Sequence, residues 1–120
     1  MQKRNEATVA DVLREAALEI DDGHWIQGAF ARDLEGKDVG ILDPKACSFC
    51  MYGAIGKALH ETLSRNLRLV VCDHLNRYIF NRFKADGIIK FNDSVCRTGE
   101  QASRVLRDAA DDWEERNRDA

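Results

Sequence analysis

Hydrophobic positions along this chain recur mainly every three or four residues, the rhythm of helices rather than the alternation of half-buried strands. Between Thr8 and Asp22 they fall at Val9, Val12, Leu13, Ala16, Ala17 and Ile20, with Arg14, Glu15 and Glu19 on the opposite side. Thr8 stands where an N-cap is needed, Asp11 follows at capping-box spacing, and Gly23 suits a left-handed C-terminal residue. The pattern predicts a first helix over about 8–22. From Trp25 to Gly40 the rhythm lapses. Trp25, Ile26, Ala29 and Phe30 lead into a turn at Asp33-Leu34-Glu35-Gly36, and Val39, Ile41 and Leu42 return. This predicts a small hairpin or irregular insertion over 24–43. Asp43-Pro44 reads as a helix entry, because proline is tolerated in a first turn. A second helix is expected over about 45–63, with Tyr52, Ile55, Leu59 and Leu63 as its stripe. Its small residues Gly53, Ala54, Gly56 and Ala58 leave room for another backbone.

The segment 65–85 carries the densest pattern. One stripe contains Leu67, Val70, Val71, His74, Leu75, Tyr78 and Ile79; a second contains Leu69, Cys72, Phe80 and Phe83. A helix apolar on two sides is central, or offers one side to a partner. The reading adopted is a central rod ended by Asp86-Gly87, around which the other elements wrap. Ile88 to Phe91 reads as a short extended segment. Thr98, with Gln101 three residues on, caps a last helix over about 98–114, whose inner face is Ala102, Val105, Leu106, Ala109 and Trp113; the polar tail beyond is expected to fray. The expected fold is therefore mainly α: four helices with a hairpin or irregular insertion between the first two, in one domain of 120 residues.

Composition sharpens this picture. Apolar residues make up 44% and charged residues 32%, enough for a core beneath a charge-laced surface and too apolar for disorder. One proline and eight glycines are too few for the frequent turns of a β-sandwich. No stretch approaches the roughly 18 apolar residues that cross a bilayer, and Met1 to Glu6 lacks the apolar run of a signal peptide. Four cysteines then read as reduced thiols in a cytoplasmic protein.

Three islands stand out in order: Gly23-His24-Trp25-Ile26-Gln27-Gly28-Ala29-Phe30-Ala31-Arg32-Asp33, then Cys50-Met51-Tyr52-Gly53-Ala54-Ile55, then Phe91-Asn92-Asp93 followed by Arg97-Thr98. Together they resemble an uncharacterised family of small proteins of actinobacteria and their phages, a domain of unknown function. That family has Gly-Trp-x-Gln-Gly-Ala, Cys-x-x-Gly-Ala and Trp-Asn-Asp…Arg-Thr segments. Phe91 departs from its tryptophan, Ile26 stands where a cysteine often appears, and Cys47 is outside its pattern. The resemblance implies a bacterial or phage setting and marks Trp25, Gln27 and Arg97 as binding candidates; it implies no activity.

The chemistry open to the residues is limited. Cys47, Cys50 and Cys72 with His74 have the donor types of a zinc site, but Cys72 and His74 are two apart on a helix and diverge by about 200°. A cysteine nucleophile at Cys50 needs a base and an orienting group, for which His24, His60, Asn92 and Asp93 are candidates. His60 is nearly three turns from Cys50 on one helix, out of reach. Arg65, Arg68, Arg77, Arg82 and Lys84 give the third helix five bases against Asp73, while residues 1–22 and 99–120 are each acidic. Arg77 and Arg82 are binding candidates on that strip; the plain alternative is that the strip pairs with the two acidic helices. With a net charge of −3 a dedicated nucleic-acid binder is the less favoured partner class. No phosphate loop, Ser-His-Asp signature or His-Glu-x-x-His motif is present, so no cofactor is implied. The best functional reading is a small accessory protein that binds a protein partner or a second copy of itself, such as a phage or mobile-element factor modulating a host defence protein. The alternative is a cysteine-dependent enzyme or zinc-binding domain.

Overall fold

The computed structural model describes residues 7–21 and 24–118; the expected C-terminal glycine of the first helix, Gly23, and the start Met1–Glu6 lie outside them. Thr8 opens the first helix, α1 (Val9–Ile20): its hydroxyl accepts from Asp11 N at 3.1 Å while its own N–H donates to the Asp11 carboxylate at 2.9 Å. Two of the helix's orphan N–H groups are thereby satisfied reciprocally. All six stripe residues, and Ala10 besides, are buried.

The chain then crosses into two short strands, β1 (Ala31–Arg32) and β2 (Ser48–Phe49), which pair antiparallel with Ala31 opposite Phe49. Trp25 bridges the other edge of Phe49 in parallel sense, with His24 O accepting from Phe49 N at 2.7 Å. The returning strand is thus Ser48–Phe49 rather than Val39–Leu42, and the irregular region runs on past residue 43. Asp43-Pro44 does not open a helix. The Asp43 carboxylate accepts from Lys45 N at 2.8 Å and its carbonyl from Ala46 N at 2.9 Å, closing a turn that delivers Cys47 N to Arg32 O.

Helix α2 (Met51–Glu61) starts six residues later than its pattern suggested, with the Cys50 thiol as N-cap accepting from Gly53 N at 3.3 Å. At its far end Leu63 takes the left-handed conformation (φ 57°) that glycine usually supplies, and Ser64 N closes back onto Leu59 O. A 3-10 turn, Arg65–Leu67, leads into α3 (Arg68–Phe83), which ends at Lys84, also left-handed (φ 58°). Ile88 to Phe91 belongs to a further helix, α4 (Ile88–Ser94), not to an extended segment: Gly87, at φ 119°, turns the chain directly from one helix into the next. Thr98 caps α5 (Gly99–Asn117) by accepting from Gln101 N at 3.1 Å, and Gln101 reaches back past the cap to Arg97 N at 2.6 Å. Helix persists through the polar tail to Asn117, whose side chain bonds Trp113 O.

The described chain is mainly helical, with five α-helices and one small antiparallel pair. Its centre is α1, packed along α5 and across α2, rather than α3. Only Val71, His74, Leu75 and Ile79 of α3 are buried, one narrow stripe. Leu69, Phe80 and Phe83 remain on the surface, so α3 lies along the outside of the bundle. Two ion-pair groups hold α1 to α5: Arg14 with Asp111 and Glu114, and Asp21 with Arg107 and Ser103.

Among the small residues of α2, Gly53 admits the backbone of the 28–31 segment, as the pattern of small residues suggested. A β-carbon on Gly53 would stand 2.1 Å from Phe30 O, whereas one on Gly56 would meet only the movable Cδ1 of Ile41, at 2.4 Å. Gly53→Ala is therefore expected to lower stability by about 2 kcal/mol or more, because backbone must shift. Gly56→Ala should stay within about 1 kcal/mol of the parent, since gained helix propensity offsets Ile41's adjustment. Urea denaturation of both variants checks the difference.

Candidate functional site

The three islands meet at one side chain, Asn92, which is completely buried in α4. Its Oδ1 accepts from Trp25 Nε1 at 2.7 Å and from Met51 N at 3.0 Å; its Nδ2 donates to Ile26 O at 3.1 Å and to Asp93 Oδ1 at 2.9 Å. Those four bonds use both donors and both acceptor sites of the amide. Gln27 reinforces the junction: its amide nitrogen lies within 3.0–3.2 Å of the carbonyls of Asn92, Asp93 and Cys96, at the C-terminal end of α4 where helical carbonyls lack partners. Gly28 N donates to Asp93 Oδ1 at 3.1 Å, and Gly28 itself is left-handed (φ 83°). Trp25 also packs where α5 begins, for a β-carbon on Gly99 would stand 2.8 Å from Trp25 Cβ. Of the island residues expected to act together, Trp25, Gln27, Asn92 and Asp93 form one network, with Cys50 beside it. Arg97 is not part of it: its backbone N–H donates to Gln101 at the start of α5.

One side of this junction opens as a pocket of about 420 Å³, lined among others by Gly28, Ala29, Cys50 and Asp93, so all three islands contribute to its wall. Phe30, Val39 and Ile89 give it apolar surface. Cys50 is only 3% exposed, and burial pushes its thiol above the ordinary range. Its side chain accepts from Gly53 N and meets no histidine; His24 and His60 are both exposed and make no hydrogen bond to it. The nucleophile–base pair that thiolate catalysis needs is thus not assembled here. Among the described residues no three His, Cys, Asp or Glu side chains gather as a metal group. Cys47 points to Arg32 O, Cys72 sits on α3, and His74 Nε2 donates to Ala109 O at 2.8 Å beside the edge of Trp113.

The basic strip of α3 does not pair with the acidic helices. Arg77 bonds Asp73 on its own helix, Arg68 donates to Tyr52, and Arg82 lies over the Tyr78 ring; among the described residues none of the strip's cations forms a salt bridge to α1 or α5. Of the acids of α5, Asp111 and Glu114 are engaged by Arg14 and Asp112 by Arg116. Arg77 and Arg82 line a recess of about 420 Å³ with Tyr78, Arg116 and one acid of α5, Asp112. Along the outer side of α3, Leu69 is 81% exposed, Phe80 51% and Phe83 41%. Helical geometry places these three on one face over about 21 Å. The face that the sequence offered to a partner is thus the outward one, apart from the half-buried Cys72; the pairing pattern was not legible from spacing.

Two measurements follow. Asn92→Leu would strand the Trp25, Met51 and Ile26 polar groups without partners, so a stability loss of about 3 kcal/mol or more is expected in urea denaturation. Burial also raises the Cys72 thiol, and takes Cys96 to about 11 from an ordinary 9.0. These thiols ionise at lower pH in the unfolded chain than in the folded one, so the unfolded state holds fewer protons between those values and stability falls as pH rises from about 9 toward 11. Denaturation midpoints across that range should decline, and Cys96→Ala should flatten the decline.

A family model described as a family of unknown function (DUF6197) matches residues 4–112. No curated protein and no solved structure matches the chain. No helix among the described residues is long and apolar enough to cross a membrane.

Proposed function

We propose, from the premise that this chain belongs to the family of unknown function DUF6197, that it is a non-enzymatic binding protein whose contact surface is the outer face of α3. One observation carries this reading: Leu69, Phe80 and Phe83 are exposed on one helical face beside Lys84 and Arg77, neither of which forms a salt bridge to another helix among the described residues. Apolar side chains aligned in this way cost solubility unless a partner covers them. The occupant is a helix of another protein, apolar along one stripe and acidic beside it. Arg77 and Lys84, which helical geometry sets beside Phe80, would meet its carboxylates while Leu69, Phe80 and Phe83 enter its stripe. A second copy of the chain fits less well. Antiparallel pairing of two α3 helices about Asn76 sets Arg68 opposite Lys84, and parallel pairing stacks each base on itself. In a phage or mobile element, such a protein would act by covering a helix of a host protein.

The test is fluorescence anisotropy with a designed amphipathic peptide of about five turns carrying a leucine stripe flanked by glutamates, against the same peptide flanked by lysines. The acidic peptide should bind at least about tenfold more tightly, with affinity falling as salt rises. Leu69→Glu and Phe80→Glu should abolish its binding while leaving stability within about 0.5 kcal/mol, since both side chains are already wet. Equal affinity for the two peptides, or binding that survives both substitutions, overturns the reading. A concentration-dependent dimer in sedimentation that Leu69→Glu disperses would do so in favour of self-association.

A further inference from the structure

The pocket beside Asn92 is a different place from the face of α3, and its charge is of the opposite kind. Its wall is small or apolar at Ala29, Phe30, Val39 and Ile89, and it carries two carboxylates, Asp38 and Asp93. Asp38 is already matched, with Arg32 Nε 2.9 Å from its Oδ1. Asp93 has no cationic partner among the described residues. Its Oδ1 accepts from Gly28 N and Asn92 Nδ2, both donors held by the buried junction, so the carboxylate is fixed in direction before any ligand arrives. Its other oxygen accepts no hydrogen bond from the described residues.

We propose that this pocket binds a compact organic cation, its ammonium or guanidinium group on Asp93 and its apolar body against Phe30, Val39 and Ile89. A volume of about 420 Å³ lies in the range of small-molecule sites, and apolar surface beside a few oriented polar groups, here the Asp93 carboxylate, is the usual form of such a site. Anionic ligands are disfavoured by the same carboxylate. The network of Trp25, Gln27 and Asn92 then acts as the scaffold that positions the Asp93 carboxylate and the Gly28–Ala31 wall.

Cys50 in the pocket wall supplies the means of testing this. The native protein is treated with cystamine (ammonium-bearing), bis(2-hydroxyethyl) disulfide (neutral) and 3,3′-dithiodipropionate (anionic) at mildly alkaline pH. In each case the Cys50 thiolate attacks one sulfur, the reagent's S–S bond breaks, and its other half leaves as a thiolate. Peptide mass spectrometry follows Cys50, and each rate is divided by that reagent's rate with glutathione. Cystamine should be favoured over dithiodipropionate by about tenfold or more at Cys50. Asp93→Asn, which keeps an acceptor for Gly28 N, should bring that ratio close to one, with circular dichroism confirming an intact fold. A ratio near one in the parent, a preference unchanged by Asp93→Asn, or no Cys50 labelling by any reagent in the folded protein would each overturn the proposal. None of these outcomes bears on the α3 surface.

Discussion

A single buried amide ties together parts of the chain that are far apart in sequence. Asn92 bonds the indole of Trp25, the carbonyl of Ile26, the first N–H of α2 and its own neighbour Asp93. A buried polar group is costly unless every donor and acceptor is matched, and here all are. The bonding fixes direction as well as contact. The 24–31 segment has almost no regular structure of its own, so its path over α2 and α4 is set by Asn92, by Gln27 across three carbonyls, and by Gly53, which lets the Phe30 backbone touch the helix.

That division of labour explains the molecule's two contrasting faces. The helical core of α1, α2 and α5 is apolar and closed, with its ion pairs placed between α1 and α5 where they hold those helices in register. The cations of α3 form no salt bridge to α1 or α5 among the described residues, and one narrow buried stripe attaches α3 to the body. The basic, partly apolar face of α3 and the acidic pocket beside Asn92 rest on separate structural supports. One depends on an incompletely covered helix, the other on a polar network at the start of α2 and the end of α4.

The elements that a sequence pattern conveys well are those whose determinants are local. Thr8 with Asp11, and Thr98 with Gln101, name helix starts because a cap and its N–H groups are three residues apart. The stripe of α1 is legible because every member is buried. What could not be read depended on distant partners. Ile88 to Phe91 has a β-rich composition, yet Gly87 and the packing of Phe91 and Asn92 hold it helical. Asp43-Pro44 looks like a helix start, but the Asp43 carboxylate serves a turn instead. The two-sided apolar pattern of α3 suggested a central rod; α1, lined with alanines that allow close approach, took the centre. In the site, the resemblance marked Trp25, Gln27, Asn92 and Asp93 as related without saying how. Their relation is a set of side-chain bonds spanning up to 69 positions, which no local spacing encodes.

The junction also dictates where the polypeptide can grow. Between β1 and β2 the chain makes a self-contained loop: the Asp33 carboxylate accepts from Glu35 N and Lys37 N, and Leu34 at its tip is 87% exposed. Nothing in the Asn92 network passes through that tip, so an inserted epitope, fluorophore handle or extra domain grafted at 34–36 would hang clear of the body. The same graft at 26–28 or 92–96 would pull Gln27 off its carbonyls and part the 24–31 segment from α4.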